Sequence, residues 1–442
     1  MSTVILGGGI IGLSTAYYLS QSRPTSTQAA IHILDSSSTL LTSASGYAGG
    51  FVALDWFSAP VAPLGALSFA LHRDLAEQHD GRRKWGYGAS TAYSMSVEQV
   101  GVGSGEKGGD WLLDGTSRST VAKGTGNEEE EEMLNADGTP AWVASQQGGS
   151  LEVIGRVGGC ANIEPRQLCE FLVGECEKRG VKVHLSTRAT GLAKGEDGVV
   201  KGVKIERVGG EGGSEVEVLE AKDIVITAGA WTPRVFKTLF PDSSISVPID
   251  SLAGHSVVVR SPRYTTPIVA PDKHNDNGKY HAVFCGQGPH WDFAPEAMTR
   301  IPNAGKPEIW VGGLNSSTMR LPELASDAKE MIDQKSMQKL KAATVQLTGL
   351  SQEGDEIYQD DLEVVREGLC FRPASKSGKP IITKLKDEEL GTDVKFDDGG
   401  VYIAAGHGPW GISLGLGTGV VVSEMVQGKK TTVEVDALGL SG

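Results

Sequence analysis

Three observations predict an α/β chain (α+β overall) in which a Rossmann-like domain is joined to a second, β-rich domain. The first is a strand–glycine–helix–strand unit in the opening 35 residues. The second is its counterpart near the far end, where an apolar strand runs into another glycine-rich turn and a helix. The third is size: 442 residues exceed what one hydrophobic core organises, so two or three domains are expected.

Taken in order, Thr3-Val4-Ile5-Leu6 is a short β-prone run. Gly7-Gly8-Gly9 follows, and Ile10, Leu13, Tyr17 and Tyr18 then recur at helical spacing as far as Ser20. Ser22, Pro24, Ser26 and Thr27 break the helix, and Ile31-His32-Ile33-Leu34 is a second strand closed by Asp35. Residues 101–139 are rich in Gly, Ser, Thr and Asp, and 128–132 are all glutamate, which predicts a mobile surface insertion. Pro165 suits the first position of a helix. Leu168, Phe171, Leu172 and Cys176 share one face of it, and Gly180 suits its C-terminal cap. Strands are expected over 181–185 and 223–227, the latter running into Ala228-Gly229-Ala230-Trp231. Residues 245–365 read as strands and loops with one charged helix near 327–348. The chain closes with a strand at 401–405, a glycine-rich turn, and a helix from about Ile412 through Val422 to Gly428.

Composition narrows the function classes. Lys and Arg number 41 against 55 Asp and Glu, and 41 − 55 = −14; with a pI near 5.2, a nucleic-acid partner is not expected. Cys160, Cys169, Cys176, Cys285 and Cys370 lack CxxC spacing, so neither a zinc ribbon nor a disulfide framework is expected, and no metal site is assigned. A strand beginning at residue 3 leaves no room for a signal peptide. Residues 401–423 lack Asp, Glu, Lys and Arg, but their six glycines, Pro409 and His407 argue against a membrane span. The terminal Gly-Leu-Ser-Gly is no peroxisomal tripeptide, and a cytoplasmic location is expected.

Gly7-Gly8-Gly9-Ile10-Ile11-Gly12 fits G-x-G-x-x-G. Gly7 permits the tight turn off the strand. Gly9, with Ile10 and Ile11, offers backbone N–H groups to a pyrophosphate at the helix N-terminus, and Gly12 permits close helix–strand packing. Asp35, 23 residues after Gly12 and followed by Ser36, stands where a carboxylate accepts from ribose hydroxyls. This pattern serves NAD or FAD equally.

Further along, Ser43-Ala44-Ser45-Gly46-Tyr47-Ala48-Gly49-Gly50-Phe51, Ile163-Glu164-Pro165 through Leu192, Thr227-Ala228-Gly229-Ala230-Trp231, Phe371-Arg372-Pro373 and Gly406-His407-Gly408-Pro409-Trp410-Gly411-Ile412-Ser413 resemble segments of the D-amino acid oxidase (DAO) superfamily of FAD-dependent oxidoreductases. Glycine oxidase, sarcosine oxidase and dimethylglycine dehydrogenase are members. Asp55-Trp56 and Ala253-Gly254-His255-Ser256 point to a sparsely characterised eukaryotic branch. The resemblance implies the glutathione-reductase-type fold of that superfamily and FAD as cofactor. Ser43, Ala44, Ser45, Gly49, Gly50, Phe51, Ala189, Ala228, Gly229, Trp231, Gly408, Pro409, Trp410, Gly411, Ile412 and Ser413 would join the fingerprint residues in holding it, Ser413 bonding the pyrimidine side. The bare backbone at Gly49, Gly50, Gly406, Gly408 and Gly411 agrees with a flavin, which needs donors where reduction puts negative charge.

By the same resemblance, Arg372 would pair bidentately with a substrate carboxylate; an ion pair with Glu363 or Glu367 is the structural alternative. His255 is a candidate for proton handling. His407 either stabilises the reduced ring or caps a turn. Tyr280, Trp291 and Trp310 are candidate wall residues. Cys370 occupies the position where sarcosine and fructosyl amino acid oxidases attach flavin covalently, with Arg372 available to lower its pKa; non-covalent FAD is nevertheless expected. The implied reaction is oxidation of the C–N bond of an amine or amino acid by hydride transfer to flavin N5, with oxygen or another electron acceptor as second partner. The alternatives are 2-hydroxy acid oxidation and a FAD-stabilised assembly or trafficking factor. The flavin domain is drawn from 1–92, 150–236 and 366–442, and the substrate domain from 93–149 and 237–365.

Overall fold

The computed structural model describes residues 2–22, 30–96, 117–122, 140–146, 148–156, 158–209, 216–264, 280–288, 290–303, 305–350 and 361–440. Most of the acidic segment 101–139 lies outside them.

Thr3–Leu6 sits inside a six-stranded sheet, parallel to Ile31–Leu34 on one side and to Asp223–Ile226 on the other. Lys182–His184 extends it beyond Ile31–Leu34, while Gly400–Ala405 and the antiparallel edge Ile381–Leu385 extend it the other way. The inner strands are largely apolar because both faces are covered, with Thr3, His32 and Asp223 as buried polar exceptions. Ile5, Ile33, Val225 and Tyr402 face helices Ile10–Gln21, Pro165–Lys178 and Gly411–Val426. Val4, Leu34, Ile224 and Ile403 face a three-stranded antiparallel sheet, Thr187–Lys194, Val200–Arg207 and Glu217–Glu220, and helix Thr232–Leu239. The helices opening and closing the chain cross closely, since a Cβ on Gly419 would stand 2.5 Å from the Ser14 Cβ.

The remaining strands form a nine-stranded sheet running Glu363–Ser375, Ile249–Arg260, Glu308–Ser316, Glu296–Arg300, Tyr280–Cys285, Gly88–Ser96, Cys160–Asn162 and Phe51–Ala53, with Ser150–Gly155 paired to Gly88–Ser96. Helix Gln334–Thr348 covers one face, setting Met337 and Leu340 among Val257, Val259, Ile309 and Val311.

Two expectations are corrected. The single charged helix near 327–348 is a 3-10 helix, Ala325–Met331, followed by a separate α-helix. Asp333 divides them by accepting the Ser336 N–H as the N-cap of the second. Nor is the 101–139 segment surface throughout: Arg118–Val121 is a 3-10 turn with the Arg118 side chain buried. Among the described residues no helix is long and apolar enough to cross a membrane.

Candidate functional site

A cleft of about 440 Å³ runs along the C-terminal ends of the parallel strands and under the large sheet. The first βαβ unit forms one end. Gly7 has φ +117°, open to glycine but not to L side chains, and its missing Cβ leaves room for the Thr227 carbonyl, 2.6 Å from where it would sit. A Cβ on Gly12 would stand 2.1 Å from the Gly7 carbonyl oxygen, so Gly12 lies behind the cleft as the packing glycine. Asp35 accepts from Gly8 N–H at 3.1 Å and Ser37 N–H at 2.9 Å. Burial raises its pKa against these bonds.

Gly7, Gly9, Ile10, Ile11, Asp35, Ser36, Ser43, Ala44, Ser45, Gly49, Gly50, Phe51, Ala189, Ala228, Gly229, Trp231, Arg372, Gly408, Pro409, Gly411 and Ile412 all line this one cleft. Several also build its walls. The Ser45 hydroxyl accepts the Ile10 N–H at 3.0 Å, leaving the following first-turn donors, Ile11 and Gly12, without an intrahelical acceptor. Ser43 accepts the Phe371 N–H at 3.2 Å, tying the loop to the large sheet. At Gly49 and Gly50 close packing is what demands glycine: a Cβ on the first would stand 2.5 Å from the Met298 sulfur, and one on the second 2.0 Å from the Ile163 carbonyl.

Three assignments are corrected. Ser413 is buried against Phe51–Ala53, its hydroxyl accepting the Ala53 N–H at 3.0 Å, so it is spent on the backbone rather than aimed into the cleft. Trp410 packs edge-on against Phe57 at 5.0 Å and lies 4.7 Å from the Arg118 guanidinium, behind the lining. His255 faces away: side chains alternate along a strand, and Gly254 and Ser256 line the cleft while the His255 Nε2 accepts the Asp333 N–H at 3.2 Å. Burial lowers its pKa, with Asp333 opposing.

His407 lines the cleft, bonds Thr418 Oγ1 at 3.1 Å through Nε2, and is held neutral by burial, with a pKa lowered to about 3. Trp310 is a wall residue, donating its indole N–H to the Tyr47 carbonyl at 2.9 Å, whereas Tyr280 and Trp291 lie outside the lining. Cys370 lines the cleft but is buried, and desolvation outweighs Arg372 and Arg366 to raise its pKa. The expected lowering by Arg372 is therefore overruled.

Sequence reasoning missed Arg118, Met298, Gly254 and Ser256. Arg118 arrives from an otherwise polar segment and pairs with Glu296 at 3.0 and 2.9 Å, a contact 178 residues away that no local pattern announces.

A glycine fingerprint, a carboxylate closing the second strand and a second glycine turn on one cleft are the features of a dinucleotide-dependent oxidoreductase. Residues 2–425 match the family model for FAD-dependent oxidoreductases, DAO. The chain belongs to that family, and FAD is the cofactor this membership implies. An oxidoreductase of Schizosaccharomyces pombe, provisionally so named, is 26% identical over 99% of this chain and 97% of its own. TDA3 of Saccharomyces cerevisiae, likewise provisionally named an oxidoreductase, is 24% identical over 98% of this chain and 93% of its own. The fold is that of glycine oxidase from Geobacillus kaustophilus, at TM-score 0.66 and 19% identity over 99% and 97% of the two chains.

Proposed function

We propose that this FAD-dependent oxidoreductase oxidises the C–N bond of an amino acid or amine, giving an imine that hydrolyses. The observation that carries this reading is Arg372. It lines the cleft at the end where Cys370, Met298 and Trp310 gather, and among the described residues it forms no ion pair. The acids weighed as its structural partners are engaged elsewhere, Glu363 with Arg260 at 2.5 Å and Glu367 with Lys341. A guanidinium so exposed to the cleft suits a carboxylate.

The residues present fit FAD. Asp35 would accept from the ribose, the Gly9 and Ile11 amides would receive the diphosphate, and the Gly408–Ile412 turn would give the ring the positive end of helix Gly411–Val426. Bound FAD would supply an acceptor for a hydride and its electron pair. The protein orients and shields: Arg372 fixes the carboxylate, so that the Cα–H has one approach, and Met298 and Trp310 exclude water. The neutral His407 is no proton donor near pH 7. Non-covalent FAD, the two-domain division drawn above and a cytoplasmic location belong to this reading.

Anaerobic mixing with a panel of amino acids, amines and 2-hydroxy acids tests it. Bleaching of the flavin by an amino acid or amine supports the proposal, bleaching by hydroxy acids alone replaces it with C–O oxidation, and no bleaching favours a non-catalytic role.

A further inference from the structure

Two arginines reach the same end of the cleft and are held in different ways. Glu296 grips Arg118 in a two-point pair inside a buried site, so the charge of that guanidinium is cancelled. Arg372 is held by an amide: its Nη1 donates to Asn315 Oδ1. A guanidinium only donates, so the carbonyl oxygen of Asn315 must be the atom that faces it. Strand register explains the meeting. Gly254 lies opposite Cys370 in one neighbouring strand and opposite Asn315 in the other. The Arg372 side chain crosses that bare backbone, and a Cβ on Gly254 would stand 2.5 Å from Nη1 and 2.8 Å from Cζ.

We propose that Asn315 and Gly254 are positioning residues that orient Arg372 while leaving its charge uncompensated, so that the cleft anchors a substrate through one carboxylate. This rests on Arg372 being the substrate anchor. A carboxylate at position 315 would hold the guanidinium as well or better, but would compete with the substrate for it. The neutral amide supplies direction without that competition. Gly254 supplies the space: the obstructed atoms are the far end of a flexible side chain, so an added methyl displaces the guanidinium before it disturbs the sheet. Arg118, whose Nε and Nη2 both donate to Glu296, has its charge cancelled and offers no second anchor for a dicarboxylate.

The test titrates the FAD-loaded protein with acetate, benzoate and succinate, following the visible flavin spectrum, with thermal melting alongside. The wild type is expected to bind acetate or benzoate, and succinate no tighter than acetate. Asn315→Asp should melt at the same temperature or higher yet bind these ions at least roughly tenfold more weakly, the scale of one charged hydrogen bond. Gly254→Ala should weaken binding similarly with its melting unchanged. A purely structural Asn315 would leave carboxylate binding intact in Asn315→Asp, and that result overturns the proposal. So does succinate binding much tighter than acetate. If Arg372→Ala abolishes binding while the Asn315 and Gly254 variants bind normally, this inference fails and the anchor reading stands. If the wild type binds none of the three ions, both fall.

Discussion

Arg372 and Cys370 stand two residues apart on one strand, and both line the cleft. Burial pushes the Cys370 thiol away from the thiolate that covalent flavin attachment requires. Acid precipitation should therefore leave a yellow supernatant; a yellow pellet that becomes colourless in Cys370→Ser would show the linkage exists. Arg372→Ala should weaken carboxylate binding by about 1.5–3 kcal/mol for each charged hydrogen bond lost, with flavin content retained. His407 gives a pH prediction. Its folded pKa, about 3, lies below the ordinary 6.5, so its contribution to stability is present above pH 6.5 and is lost as pH falls toward 3. Between pH 7 and pH 5 the wild type should lose about 2 kcal/mol through this residue, at 1.36 kcal/mol per pKa unit. Denaturant titration of His407→Gln at both pH values should find a correspondingly smaller loss.

At the level of elements, the opening strand–turn–helix was legible because its determinants are local: a β-prone run, glycines where a turn and a close contact need them, and apolar residues at helical spacing. The close contact is testable. Gly12→Ala sets a methyl against backbone, which cannot yield as a side chain does, and should cost about 1–3 kcal/mol and loosen FAD. Gly174 is the contrast. It lies in helix Pro165–Lys178 with nothing within 4 Å of an added Cβ, so Gly174→Ala should stabilise by roughly 0.5–1 kcal/mol and leave FAD affinity alone. Thermal melting and FAD titration of the two variants check both. The helix at 327–348 was read as continuous although its divider was in plain view: Asp333, three residues before Ser336, is an ordinary N-cap. The orientation of His255 was not legible, because alternation says only that neighbours face opposite ways. Which way is decided by helix Gln334–Thr348 and its cap on one side and the cleft on the other.

Across the whole molecule, the cleft is assembled from segments hundreds of residues apart. The glycine motifs were legible because each is a contiguous turn, and all converge on one cavity, the side proposed for the cofactor. The side proposed for the substrate resisted because its residues are joined by pairing alone: Gly254 meets Arg372 and Asn315 across strands, and Arg118 reaches Glu296 from a segment that reads as insertion. Ser413 and Trp410 were misassigned for the same reason, since position in a loop does not tell which neighbours have already taken a side chain. In the proposed function this assembled cleft holds FAD and oxidises the C–N bond of a carboxylate-bearing substrate beside Arg372. The most direct measurement is anaerobic stopped-flow mixing of the yellow protein with amino acids and with the matching amines that lack the carboxylate. An amino acid should bleach the flavin, the matching amine should do so far more slowly, and Arg372→Ala should remove the difference. Equal rates for the two in the wild type, or a flavin that no such compound reduces, would contradict it.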